Sequence, residues 1–282
     1  MKKTLAPILL YLLFVDAMAQ ENLNAYPFVQ SNFLEISVNA NHIQFRDFVS
    51  SPLYYNGITS QFNLALVKKR DKMERSVGLS YSSGNVSNDD FNQITEAEIS
   101  SFSFHYHYLK HIEGLSSNTF NTKIGGLFDV LGNYRTNEKL NNFGISYEII
   151  PTLFLSARTE VDVSRKEQKN IFFDRIRLLP RKRLISYQLD FGLLNSNFRV
   201  DQSYLINSSV SNDLDFIAAT RFNGFSGFRF SSLLEYTISL KNSNAYRISY
   251  GWSVLTTGND RMRFEQSNHF LGISILFNTK NK

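Results

Sequence analysis

The chain of 282 residues contains no cysteine, which excludes a disulfide framework and every thiolate metal site. Beyond residue 20 it also lacks long apolar runs. No later segment approaches the roughly 18 to 20 unbroken apolar residues that a membrane helix needs. The most apolar stretch there, Ile145 to Ala157, is interrupted by Glu148 and Pro151. Alanine, the best helix former, is sparse, whereas 14 tyrosines and 25 phenylalanines weight the composition toward strand. There is no phosphate-binding glycine loop, no HExxH, no G-x-S-x-G and no internal repeat. The net charge of +5 is modest and most of the excess falls in turn-like segments, so nothing offers nucleic acid a contiguous basic face.

What is present is alternation. In Ser267 to Phe277, His269, Leu271, Ile273, Ile275 and Phe277 share one parity, and Asn268, Phe270, Gly272, Ser274 and Leu276 the other. A strand with unlike faces meets unlike surroundings on its two sides. Its position last in the chain calls for a partner, because an unpaired edge exposes N–H and C=O groups; the first strand is the natural one, closing the sheet into a barrel. That first strand sets Leu34, Ile36, Val38 and Ala40 against Glu35, Ser37 and Asn39. Further strands are expected around Ile58–Leu66, Val77–Tyr81, Phe102–Tyr108, Phe120–Leu131, Phe143–Ile149, Leu153–Val161, Ile185–Leu193, Phe198–Ile206, Leu214–Phe222, Phe228–Leu240 and Tyr246–Leu255. This makes thirteen, or fourteen if Ile171–Leu178 is a strand rather than part of one long basic loop from Ser164 to Arg183. An even number is required if both chain ends lie on one side. The expectation is therefore an all-β, antiparallel transmembrane barrel of fourteen strands. Twelve is the alternative, if one long strand has been divided near Asn223–Gly227.

The N-terminus agrees with an exported barrel. Lys2 and Lys3 precede the apolar stretch Leu5–Val15, and Ala17-Met18-Ala19 is a small-x-small cleavage pattern. A signal peptide over 1–19 and a single barrel domain over 20–282 are expected. Gln20, not cysteine, follows the cut, which disfavours a lipid anchor. A soluble β-sandwich would show shorter strands and a drier inner face.

Signal peptide, amphipathic alternation, absence of cysteine and an aromatic closing strand together resemble the outer-membrane β-barrel proteins of Gram-negative bacteria. The resemblance covers the mature chain and is one of architecture. It implies an outer-membrane location, contact with membrane lipid and lipopolysaccharide, and insertion by the barrel-assembly machinery. That machinery reads a terminal strand ending on an aromatic; Phe277 fits, although Asn278 to Lys282 follow it.

On this reading Glu35, Asn39, Gln61, Asn63, His105, His107, Lys123, Asp129, Gln188 and Asp190 project inward and line the lumen. His105 and His107 alone do not make a metal site, and no cofactor is expected. Ser267 and His269 are candidate catalytic residues, two apart on one face. They are similar to the lipid-facing serine and histidine of outer-membrane phospholipases and lipid A deacylases, but in reversed order. Arg165, Lys166, Lys169, Arg175, Arg177, Arg181, Lys182 and Arg183 form a basic cluster able to bind lipopolysaccharide phosphates or another polyanion. Gly125-Gly126 is expected to relieve crowding or to permit barrel curvature inside its strand. Three classes of function stay open: a pore for small solutes, an accessory barrel of a secretion or uptake complex, and a lipid-modifying enzyme.

Overall fold

The structure is a computed structural model that describes residues 31–88, 95–117, 119–137, 145–165, 167, 169–171, 176–178, 180–200, 220–258 and 263–279. The expected signal peptide lies outside them. Among the described residues fourteen strands run in chain order: β1 (Ser31–Asp47), β2 (Ser51–Lys69), β3 (Met73–Asn88), β4 (Thr95–His111), β5 (Phe120–Thr136), β6 (Ile145–Asp162), β7 (Lys169–Ile171), β8 (Ile176–Leu178), β9 (Arg183–Asn195), β10 (Asn197–Val200), β11 (Thr220–Asn223), β12 (Phe228–Ser239), β13 (Ala245–Thr257) and β14 (Phe264–Asn278). Among the described residues the one helical element is a single 3₁₀ turn, Glu113–Leu115.

Ten of these strands close an antiparallel ring in the order β1–β2–β3–β4–β5–β6–β9–β12–β13–β14. The last strand pairs with the first, from Phe33 opposite Asn278 to Asp47 opposite Phe264. Closure gives every central strand two partners, so backbone polar groups are paired without water.

The expectation of fourteen crossing strands is corrected to ten, because three apparent breaks lie within continuous strands. The two expected strands on either side of Pro151 are one, β6. The Pro151 carbonyl accepts from Ser196 N at 3.0 Å. In a strand the N–H and C=O of one residue point to the same side, so the missing N–H of Pro151 also faces Ser196. The ladder is already interrupted there between β9 and β10, which is where a strand tolerates proline. β10 resumes the β6 ladder with Phe198 opposite Ile149, in the register of the last two β9 pairs. On the other side β11 pairs with β10 just as β12 pairs with β9. The kink between β11 and β12 is built from Phe225 at φ 54° and Gly227 at φ 80°, and Ser226 N donates to Asn195 O at 2.8 Å across the two irregularities. β10 and β11 thus extend two ring strands, giving twelve strands in the sheet but ten in the ring. The rest of the expected strands Phe198–Ile206 and Leu214–Phe222, residues 201–219, lies outside the described residues. β7 and β8 form a separate two-stranded hairpin, linked to the ring by an Arg165–Arg181 bridge, not a fourteenth crossing.

The start of β1, the end of β14, the β2–β3 turn, the β4–β5 loop, the β7–β8 hairpin and the β12–β13 turn share one rim, here the lower one. Outward side chains define a belt next to that rim. Val38 is 61 % exposed, Leu66 57 % and Ile273 63 %. Soluble surfaces scatter such residues singly, whereas here they form an apolar band. The upper edge runs through Tyr81 opposite Phe102 and Trp252 opposite His269.

Above that edge the pattern inverts along the same strands. His42, Gln44 and Arg46 point outward on β1, while Ile43 and Phe45 are buried inside. Ser83, Asn85 and Ser87 point outward on β3 around buried Val86, and Glu96 and Glu98 flank buried Ala97 and Ile99 on β4. These inward residues join Tyr55, Ile150, Leu255 and Phe264 in one apolar cluster. Below the edge the barrel is apolar outside and polar inside; above it the arrangement is that of a water-soluble barrel.

Candidate functional site

The interior holds the chemistry. A ring of ten strands is wider than the eight-stranded case that ordinary side chains fill, so long side chains must reach across, and inward parity supplies arginine, lysine, glutamate and phenylalanine.

The upper layer lies against the apolar cap. Arg135 on β5 donates through Nη2 to Asp47 on β1 at 2.8 Å and grips Glu148 on β6 at 2.5 and 2.9 Å. Arg199 on β10 binds the other oxygen of Asp47. The Arg135 guanidinium sits 4.3 Å from the Phe264 ring centre, a cation–π contact that matters more when desolvated. All four charged groups are buried.

The lower layer is a larger lattice. Lys123 donates to Glu74 and Glu160, each at 3.0 Å, and Lys69 also binds Glu160. Arg158 binds Glu235 and donates to Ser186 at 2.9 Å. Arg247 bridges Glu35 at 2.8 Å and Glu235 at 3.1 Å. Charges taken from water at this cost persist only when each is paired, and here every carboxylate has a cation.

Between the layers is a chamber of about 340 Å3. Arg229 crosses part of it to Asp129 at 2.6 Å. Asp190 accepts from Ser156 at 2.6 Å, Ser231 at 2.9 Å and Gln188 at 2.9 Å. Neutral groups complete the wall, among them Asn39, Asn63, Ser103 and Asn268, with Leu127, Phe154 and Phe270 as apolar faces.

The ten residues expected in the lumen all stand on inward parity. Nine border the chamber: Glu35, Asn39, Gln61, Asn63, His105, His107, Asp129, Gln188 and Asp190. Lys123 is fully buried in the lower lattice instead. Ser267 and His269 face outward at the upper edge of the belt. His269 Nδ1 is 2.9 Å from the Tyr250 hydroxyl, and among the described residues no carboxylate is hydrogen-bonded to His269. Of the basic cluster, Arg165, Arg181, Lys182 and Arg183 lead into and out of the lower-rim hairpin; Lys169 and Arg177 take backbone positions in β7 and β8. Lys166 and Arg175 lie outside the described residues. Gly125 has the crowding expected of it, since a Cβ there would run into the Tyr108 carbonyl.

The reading of sequence missed Asp47, Glu74, Arg135, Glu148, Arg158, Glu160, Arg199, Arg229, Glu235 and Arg247. Their signal was available in part: each occupies the polar parity of a strand. Which one meets which depends on pairings across the lumen that no local pattern contains.

No family model matches the sequence and no curated protein is similar to it. Solved structures similar in fold include the translocator domain of the autotransporter NalP from Neisseria meningitidis, 7 % identical with a TM-score of 0.36, covering 96 % of this chain and 95 % of that one. The transport unit of the autotransporter AIDA-I from Escherichia coli is 10 % identical with a TM-score of 0.42, at 95 % and 97 % coverage. An outer membrane channel from Pseudomonas putida F1 is 9 % identical with a TM-score of 0.34, at 92 % and 100 % coverage. All are distant likenesses in backbone course, with little sequence in common.

Proposed function

We propose that the chain is an outer-membrane β-barrel that passes small polar solutes through a gated lumen. The observation that carries this reading is the polar chamber held midway along a barrel with an apolar outer belt. A purely structural barrel of this size has no need of unfilled polar space on its axis. On this reading the apolar cap with its Asp47–Arg135–Glu148–Arg199 layer narrows the upper side and the Glu35–Arg247–Glu235–Arg158 lattice narrows the lower, so that the conduit conducts only intermittently.

Export through the 1–19 signal peptide and insertion by the barrel-assembly machinery, with Phe277 as the last outward aromatic of β14, belong to the same reading. In even-stranded bacterial barrels both termini are periplasmic. The hairpin shares the rim of the β1 start and the β14 end, so on this reading the basic cluster meets a polyanion on the periplasmic side, an alternative to the lipopolysaccharide phosphates expected from the sequence. Ser267 and His269 act with Tyr250 and Trp252 as interfacial anchors, the usual role of such side chains at a membrane edge.

The test is single-channel recording of the refolded chain from Gln20 to Lys282. The expected record is a quiet baseline with brief, discrete openings, whose ion selectivity shifts when Asp129→Asn removes the acidic partner of Arg229. A correctly folded, heat-modifiable barrel that stays silent at every voltage overturns the channel. The ion-paired side chains that cross the lumen favour one second reading, an accessory barrel of an outer-membrane complex, which predicts co-purification of a partner in mild detergent.

A further inference from the structure

The charges of the lumen select among solutes, an inference that rests on the channel reading above. Among the described residues five carboxylates border the chamber. Four of them have a cation: Glu35 meets Arg247, Glu235 meets Arg158, Asp129 meets Arg229, and Glu74 meets Lys123. Asp190 is the exception. Its oxygens accept from Ser156, Ser231 and Gln188, and no cation among the described residues pairs with it. Those neutral donors fix the carboxylate in place but bring no positive charge. The arginines of the wall are already taken up by the other carboxylates, so one negative charge stands uncompensated. A buried charge without an opposite is costly. A cation entering the chamber offsets that cost, whereas an anion adds to it.

A second group points the same way. His105 lies on the inward parity of β4 and borders the chamber. Unlike buried His107 it keeps some accessible surface, and on that parity the surface opens to the lumen. Its ring lies over Gly78, where a Cβ would run into it. Among the described residues its nitrogens have no hydrogen-bond partner. It stands opposite Asp129 on β5 and within electrostatic reach of Glu35 and Asp190. A neutral imidazole offers one nitrogen as an acceptor, which suits a guest that is positively charged and donates N–H.

The rest of the wall narrows the class of cation. Among the described residues no three His, Asp or Glu side chains come together as a metal site requires, so an ammonium head fits where a metal ion lacks ligands. Leu127, Leu233 and Phe270 border the same space and none is fully buried. They offer apolar surface to a short carbon chain, and an aromatic ring face attracts an ammonium. At about 340 Å3 the chamber is at the small end of ligand sites, roughly 300–1,000 Å3, which keeps the guest small.

We propose that the chamber binds a small organic ammonium ion, with Asp190 as its charge partner and His105 as a neutral acceptor.

The experiment is titration calorimetry on the refolded chain at about pH 8, where imidazole carries no charge. A non-ionic detergent keeps competing headgroup charges out. The probes are butylammonium chloride, butanol and sodium butyrate, which share a carbon chain and differ in charge. Saturable heat with butylammonium alone is expected. Asp190→Asn should weaken it about thirtyfold, as loss of one partner does in a buried charge pair. His105→Ala should weaken it about tenfold, the loss of one hydrogen bond. Unchanged heat-modifiable migration is the evidence of folding, and the wild-type comparison of probes decides the matter even if a variant fails to fold. Absence of heat with butylammonium overturns the proposal, as does butanol or butyrate binding equally well, or full affinity in a folded Asp190→Asn. Bilayer recordings with butylammonium added separate this site from the channel reading. Openings without butylammonium heat overturn the solute class and leave the channel standing. Butylammonium heat in a barrel that never opens overturns the channel and leaves the site.

Discussion

Arg135→Ala is expected to destabilise the barrel by about 3–5 kcal/mol, the cost of removing one member of a buried charge cluster. Arg135 holds Asp47 and Glu148 together, and its loss leaves two carboxylates facing each other inside the cap with only Arg199 between them. It also strips the cation from the face of Phe264. The substitution removes side-chain volume where the ring is fully buried, so water entry cannot easily compensate. The readout is the urea midpoint for unfolding from detergent micelles or vesicles, compared with Arg46→Ala on the outer wall of the same upper segment. A shift no larger than that of Arg46→Ala would show that the upper layer is not a closed ion cluster, and the gate assigned to it would go with it.

The second large effect concerns the belt. Ile273→Arg, at the middle of the outward row on β14, should cost about 2–4 kcal/mol in lipid, and an arginine near the interface about 0–1 kcal/mol. Gln44→Arg, outward on β1 but above the belt, should therefore be close to neutral. Ile273 is 63 % exposed in the isolated chain. In a soluble protein a charge at so open a position would be harmless. Refolding into vesicles and reading the folded fraction against urea separates the cases. If Ile273→Arg and Gln44→Arg behave alike, the apolar belt does not face lipid. This prediction has no dependence on the lumen, so it tests location without reference to transport.

The two predictions divide the molecule at the level where the strands invert. Arg135 belongs to the segment that is apolar inside and wet outside; Ile273 to the segment that is apolar outside and polar inside. That inversion also explains why the strands are longer than expected. On β1 the apolar parity is even from Leu34 to Ala40 and becomes odd at Ile43 and Phe45. Alternation of one phase ends at Ala40, and a strand judged by that phase ends there too. The strand itself continues to Asp47, because the backbone ladder does not depend on which face is apolar.

Local pattern was enough for the class of fold, the closure of the last strand on the first, and the inward or outward facing of residues in the lower parts of the ring strands, such as Leu34 to Ala40 on β1 and Ser267 to Phe277 on β14. A period of two is a local property, and a closed sheet with different media on its two sides leaves no other way to satisfy it. Only the tertiary structure decided the strand number. Pro151, the Asn195–Ser196 junction and the Asn223–Gly227 kink read locally as breaks, yet each is tolerated because the neighbouring strand is irregular at the same height. The state of the lumen was likewise beyond local pattern. Asp129 and Arg229 are 2.6 Å apart on strands separated by a long stretch of chain, and whether inward charges line an open channel or lock together across it is settled by barrel diameter and by which side chains end up facing each other.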